Sequence, residues 1–138
     1  MALLVTIVTP YRGLLHPAIR PGATKLISIC SPNNPTGTKC SASELQSLAS
    51  LAKDAGCCLL IDETYVDLDY ASWDHGDQAK ATVLGGAELG SHVITVSSMS
   101  KADGVPGIRV GWPHRHGPRS HGEQFLAAKE QISISGSG

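Results

Sequence analysis

The chain has 138 residues, 41% of them apolar and 17% charged, a balance typical of one globular domain and not of a disordered segment. Its formal net charge of -1 gives no electrostatic basis for binding nucleic acid or an anionic membrane surface. Apolar runs such as Cys57–Ile61 are far shorter than a membrane span, and the opening MALLVTIVTP lacks the basic residues of a signal peptide, so we expect a cytoplasmic protein without membrane contact.

The first predicted strand is KLISIC at Lys25–Cys30, which lies between the turn-forming runs RPG and SPNNPTG. A helix follows, because Ser41 and Glu44 have the spacing of a capping box and Gly56 stands where a left-handed C-terminal cap belongs. Four apolar residues in between recur on one face of a 3.6-residue period: Leu45, Leu48, Ala49 and Ala52.

The run CCLLID, Cys57–Asp62, is nearly all apolar and of strand length, which predicts a parallel strand covered on both faces. Strand, helix and strand at this spacing predict a right-handed βαβ unit. HVITV at His92–Val96 predicts another strand, and GIRVGW at Gly107–Trp112 gives a weaker signal for one. We therefore predict an α/β fold with a mainly parallel sheet and flanking helices.

The stretch PHRHGPRSHG, residues 113–122, has no periodicity and predicts an atypical loop, in which Pro113 should prevent ladder pairing. The run EQFLAAKEQISI after it predicts a helix. His114, His116 and His121 could supply three imidazoles to a zinc ion, although a solvated histidine-bearing loop explains them more simply. The four cysteines form no C-x-x-C pair, and we expect reduced, buried thiols.

Polar groups follow each of three predicted strands, and ligands of parallel α/β sheets bind beyond the carboxyl ends of strands. Asn34 lies in SPNNPTGT after the first strand, and Asp62 and Tyr65 lie in DETY at the end of the second. Taken singly, a turn amide, a capping carboxylate or a turn phenol needs no ligand. Their common position at one predicted edge favours a binding site.

The third strand adds hydroxyls and cations, with Ser98, Ser100 and Lys101 in SSMSK and Arg109 eight residues later. An amine, a carboxylate, an amide, a phenol and a hydroxyl–guanidinium cradle together suit pyridoxal phosphate. Its aldehyde forms a Schiff base with a lysine, and an ionised Asp keeps its ring nitrogen protonated. Its phosphate binds hydroxyls and a guanidinium.

Three motifs in this order resemble those of class I/II aminotransferases, the aspartate aminotransferase-like members of the fold type I pyridoxal-phosphate family. They are NPTG at Asn34–Gly37, D-x-x-Y at Asp62–Tyr65, and S-x-S-K followed by R-x-G between Ser98 and Gly111. The resemblance covers about residues 20–112, and FLAAKEQISIS also resembles the helix that follows in this family. It implies that residues 1–138 form a single, partial large domain, taken from its central part.

The resemblance implies a transferase that moves an amino group between an amino acid and a 2-oxo acid, with pyridoxal 5′-phosphate as cofactor. Lys101 would be the Schiff-base lysine and proton shuttle, and Asp62 the partner of the pyridine nitrogen. The other implied cofactor-binding residues are Asn34 and Tyr65 at the ring hydroxyl oxygen and Ser98, Ser100 and Arg109 at the phosphate.

Two departures from the family leave a second hypothesis open. Family members carry a glycine-rich phosphate loop and a ring-stacking aromatic residue ahead of NPTG, and we find neither in Met1–Ile19. They also carry a C-terminal small domain whose arginine binds the substrate carboxylate, and they form homodimers. The alternative is a truncated, non-catalytic remnant with weak or no cofactor binding.

Overall fold

One mixed β-sheet organises the computed structural model, which describes residues 3–7, 18–69, 89–101 and 103–115. Five strands cross the sheet in chain order: β1 (Leu3–Ile7), β2 (Thr24–Cys30), β3 (Cys58–Asp62), β4 (Val93–Ser98) and β5 (Gly111–Arg115). The first four are parallel neighbours, and β5 runs antiparallel to β4. The predicted α/β class with a mainly parallel sheet is confirmed. No helix among the described residues is long and apolar enough to cross a membrane.

The core lies on one face of the central strands β2 and β3. Ile27 and Ile29 of β2 stand opposite Leu59 and Ile61 of β3, and all four are at most 4% exposed. The alternate residues of β3, such as Leu60, are only partly buried. The prediction that this strand is covered on both faces is therefore wrong, since the α-helix that packs in the core cluster covers the face of Leu59 and Ile61.

That helix, α1 (Ala42–Asp54), begins and ends as its sequence predicts. The Ser41 hydroxyl accepts a hydrogen bond from the Glu44 amide at 3.3 Å, and the Glu44 carboxylate accepts one from the Ser41 amide at 2.7 Å. The bond from the Ser41 backbone holds the pKa of Glu44 below its usual value. Gly56 follows the helix with φ +67°, and the four residues of the predicted apolar face are buried.

The region after β4 differs from its prediction. Residues Pro106–Ile108 form a 3₁₀ turn, Arg109 adopts a left-handed conformation with φ 57°, and strand geometry starts only at Gly111. Pro106 has no amide proton for a ladder and a φ suited to the first position of a helical turn, so GIRVGW does not pair along its whole length.

The prediction that Pro113 prevents ladder pairing is wrong, because Pro113 stands opposite Val96 inside β5. The Met99 amide donates to the Val110 carbonyl at 3.2 Å, so these two opposed residues form a hydrogen-bonded pair. Bonded and non-bonded pairs alternate along an antiparallel ladder, which makes Val96–Pro113 a non-bonded pair. The proline nitrogen therefore faces away from β4, on the edge of the described sheet, where its missing proton removes no ladder bond.

Two other predictions for the C-terminal part concern residues beyond β5. Residues 116–122 of the predicted loop, with His116 and His121, lie outside the described residues, and so does the predicted helix. Strand β1, by contrast, was read from sequence only as a short apolar stretch.

The capping box generates a stability prediction. Replacing Ser41 with Ala should lower the free energy of unfolding by about 1 kcal/mol, because the Glu44 amide loses its acceptor at the helix start. Denaturant unfolding of the full chain measures the change. Ser50→Ala, an exposed position inside the same helix, is the matched control and should leave stability equal or slightly higher. Equal stability of the wild type and Ser41→Ala would contradict the capping role.

Candidate functional site

The three central parallel strands end at one level, which brings the segments that follow them to a common edge. Cys30 at the end of β2 pairs with Asp62 at the end of β3, and Asp62 pairs in turn with Val96 of β4. Two backbone hydrogen bonds continue the ladder past the strand ends, from the Ser31 amide to the Asp62 carbonyl at 2.9 Å and from the Glu63 amide to the Val96 carbonyl at 2.8 Å. The predicted convergence of these segments is therefore present.

The loop after β2, residues 31–40, is held by its own hydrogen bonds. The Asn33 amide donates to the Thr38 carbonyl at 2.8 Å, and the Gly37 amide donates to the Asn33 carbonyl at 2.7 Å. The Cys40 amide returns to the Ser31 hydroxyl at 3.0 Å, which closes the loop at its base. Gly37 has φ +68°, a conformation that favours glycine over residues with a side chain. The asparagine at position 34 is exposed on this ordered loop.

Three of the predicted site residues lie together. The Asn34 side-chain amide donates to the Tyr65 hydroxyl at 3.0 Å, although the two residues are 31 positions apart. The Lys101 ammonium lies 5.7 Å from the centre of the Tyr65 ring, within the range of a cation–π contact. Residues from the loops after β2, β3 and β4 thus meet around one phenol.

Asp62 stands at the same edge with its carboxylate oriented by the turn that follows it. Its Oδ1 accepts hydrogen bonds from the Thr64 amide at 2.9 Å and from the Thr64 hydroxyl at 2.6 Å. The sequence gave no separate prediction for Thr64, although a threonine two residues after an aspartate is a known turn signal.

The predicted anion-binding residues are adjacent in the chain but are not joined to the Asn34–Tyr65 pair. Ser98 ends β4, Ser100 follows it, and among the described residues neither side chain forms a hydrogen bond with that pair. The Arg109 guanidinium donates to the Pro106 carbonyl at 2.9 Å within its own loop. Lys101 and Arg109 are both exposed on the connection between β4 and β5.

A cleft of about 460 Å³ opens beside the Asn34–Tyr65 pair. Its wall also contains an ion pair that the sequence did not indicate, between the Lys39 ammonium and the Asp69 carboxylate. The remaining lining residues come from the same two loops and are Pro32, Asn33, Pro35, Gly37 and Leu68.

The cysteine at this edge acts as a donor. The Cys30 thiol donates to the Pro32 carbonyl at 3.1 Å. Burial, reinforced by the charge of Asp62, raises the pKa of the Cys30 thiol against a lowering hydrogen bond from the Asn34 backbone. Burial also raises the pKa values of the Cys40 and Cys57 thiols, and all four cysteines are free thiols as predicted. Protonated thiols are poor nucleophiles, so the site chemistry rests on the other groups.

Metal ligands do not cluster in this part of the chain. Within residues 3–7, 18–69, 89–101 and 103–115, no group of three histidine, cysteine or acidic side chains has the geometry to hold a metal ion. Of the three histidines in the zinc hypothesis, His114 alone is described, in β5 opposite Thr95.

Comparison with known proteins places this site in a family. A model of aminotransferase class I and II matches residues 12–113, which is most of the chain. The chain belongs to this aminotransferase family. It is 34% identical over 103 residues to an alanine aminotransferase of Mycobacterium tuberculosis, a match that covers 75% of the chain and 23% of that relative.

Solved aminotransferase structures share the fold. An aspartate aminotransferase from Thermus thermophilus superposes with a TM-score of 0.69 at 31% identity, over 92% of this chain and 30% of that one. The N-succinyldiaminopimelate aminotransferase of Mycobacterium tuberculosis gives a TM-score of 0.66 at 30% identity, over 90% and 30%. The chain therefore spans less than a third of the length of these aminotransferases.

The close contact of β5 with β4 yields a prediction about the loop that carries Lys101 and Arg109. A methyl group at Gly111 would lie 2.9 Å from the Ser97 carbonyl oxygen, so Gly111→Ala should lower the free energy of unfolding by about 1–3 kcal/mol. Gly107→Ala is the control, since a methyl group there meets no atom within 4 Å, and it should change stability by less than about 0.5 kcal/mol. Denaturant unfolding distinguishes the two, and equal effects would contradict the close approach.

Proposed function

We propose that the edge formed by the ends of β2, β3 and β4 binds pyridoxal 5′-phosphate and that Lys101 is its covalent partner. One observation carries the proposal, namely that the Asn34 amide, the Tyr65 phenol and the Lys101 amine meet although they come from three separate loops. Bound pyridoxal phosphate supplies an aldehyde for the amino group and a protonated ring that withdraws electrons.

The donors around Tyr65 fit the ring oxygen of this cofactor. The Tyr65 hydroxyl accepts from Asn34, so its own proton remains for another acceptor. The Asn34 side-chain amide has two protons, and this contact uses one of them. Both groups border an open cleft and can donate to one further oxygen atom.

Lys101 and Asp62 have the chemistry for the two ends of the ring. The exposed amine of Lys101, beside Tyr65, would bond to the aldehyde carbon and afterwards carry the proton between two carbons of the substrate. The described contacts of the Asp62 carboxylate with Thr64 use Oδ1. We assign Oδ2 to the ring nitrogen, where a negative charge favours the protonated form.

The phosphate would bind to Ser98, Ser100 and Arg109. The Arg109 guanidinium carries five N–H donors, and its bond to the Pro106 carbonyl uses one of them. Hydroxyl and guanidinium donors suit a phosphate dianion because they offer several directed hydrogen bonds at once.

The reaction that suits this site is the transfer of an amino group between an amino acid and a 2-oxo acid. The matched aminotransferases are more than three times as long as the aligned part of this chain, which favours a second candidate function. In that case the chain binds the cofactor without completing transamination, as a non-catalytic remnant. The two functions differ in whether the bound cofactor accepts an amino group from added amino acids. Homodimer formation and a cytoplasmic location, both implied by the resemblance, stay predictions.

Borohydride trapping tests the cofactor site. The full chain is incubated with pyridoxal phosphate, reduced with borohydride and digested, and the labelled lysine is identified by mass spectrometry. We expect the label on Lys101, because its amine lies beside the Asn34–Tyr65 pair. Lys101→Ala should lower the total label about tenfold or more.

Lys53→Ala is the matched control, since Lys53 is an exposed lysine in the last turn of α1. This variant should label as the wild type does. Equal labelling of Lys25, Lys53 and Lys101 would mean reaction at any surface amine and would contradict the proposed site.

A further inference from the structure

Two segments form the cleft beside Tyr65, and each is ordered by its own hydrogen bonds. Residues 31–40 are closed by the Ser31–Cys40 contact. Residues 63–69 are held by the Val66 amide on the Glu63 carbonyl at 2.9 Å and by the Leu68 amide on the Tyr65 carbonyl at 3.0 Å. Because each segment is fixed internally, the Asn34–Tyr65 contact depends on how the two segments are held against each other.

Three contacts join these segments at successive distances along the chain. The Ser31 amide to Asp62 carbonyl bond lies at the base, beside the strand ends. The Asn34–Tyr65 hydrogen bond joins residues 31 positions apart. The ion pair of Lys39 with Asp69 joins residues 30 positions apart, at the end of each segment. The base contact is part of the sheet ladder, whereas the ion pair is formed by side chains alone.

We propose that Lys39 is a positioning residue for this site. Its ion pair with Asp69 holds the Asn34 loop against the Tyr65 turn and so maintains the contact between the Asn34 amide and the Tyr65 phenol. Lys39 itself is assigned no contact with the cofactor. The inference about the two loops stands on the structure, and its consequence for ligand binding rests on the proposed function.

The burial of the pair favours a local effect over a large contribution to global stability. The side chains of Lys39 and Asp69 are 34% and 16% exposed, so water and salt screen their attraction partly. Partly exposed ion pairs change an equilibrium by up to about fivefold. A change of this size matters most for a neighbouring contact that is itself exposed, as the Asn34–Tyr65 bond is.

The first experiment uses the chain without ligand. Solvent exchange of the Asn34 side-chain amide protons is measured by NMR in the wild type, Lys39→Met, Lys39→Arg and Lys53→Met. We expect exchange to become about twofold to fivefold faster in Lys39→Met, because the amide leaves its acceptor more often. Lys39→Arg should restore the wild-type rate, and Lys53→Met should not change it. An unchanged Asn34 exchange rate in Lys39→Met would overturn the inference.

The second experiment asks whether Lys39 acts through Tyr65. Affinity for pyridoxal phosphate is measured by titration for the wild type, Lys39→Met, Tyr65→Phe and the double variant. Lys39→Met alone should weaken binding about twofold to fivefold, and this loss should shrink at high salt. In the Tyr65→Phe background, Lys39→Met should have no further effect, because the group that it positions is gone.

The outcomes of the two experiments separate the inference from the proposed function. Multiplying losses in the double variant would mean that Lys39 acts independently of Tyr65, which contradicts a positioning role. If the wild type fails to bind pyridoxal phosphate, the proposed function fails, and a faster Asn34 exchange in Lys39→Met still supports the link between the two loops.

Discussion

The register of the parallel strands β2, β3 and β4 is the constraint on which the rest of the structure depends. Ile27 and Ile29 pair with Leu59 and Ile61 on the buried face, and this pairing sets Cys30 level with Asp62. A slip by one residue would turn the buried side chains of one strand to the opposite face, which makes the register costly to change. The loops therefore leave the sheet from one line, and the residues that they carry can meet.

A fixed edge alone does not complete a site, because exposed loops have many conformations. Here the loop at residues 31–40 is closed by backbone and hydroxyl bonds, and the turn at residues 63–69 begins with Thr64 bound to the Asp62 carboxylate. Each polar side chain thus stands on an ordered segment, which lowers the entropy that a ligand must remove on binding. The side-chain contacts between the segments then determine how Asn34 faces Tyr65.

The parts of the fold that local patterns determine could be predicted from the sequence. The capping box of Ser41 and Glu44 and the left-handed Gly56 bound α1 because both depend on residues within one turn. The direction of β5 could not be predicted in this way. It depends on the turn at Pro106–Ile108 and on the alternation that lets Pro113 face outwards, both of which follow from pairing with β4.

The candidate site shows the same division. Its motifs identified Asn34, Tyr65 and Lys101, and the family comparison agrees with the motifs that selected them. The ion pair of Lys39 and Asp69 escaped prediction because a lysine and an aspartate 30 positions apart carry no local pattern. Only the packing of the two loops brings them together.

A crystal structure of this chain grown with pyridoxal phosphate is the most direct test of the shared edge. The account predicts electron density continuous with the Lys101 side chain, a ring oxygen within hydrogen-bond distance of Asn34 and Tyr65, and the ring nitrogen beside Asp62. An ordered cofactor bound elsewhere, or one whose ring nitrogen lies remote from Asp62, would contradict it.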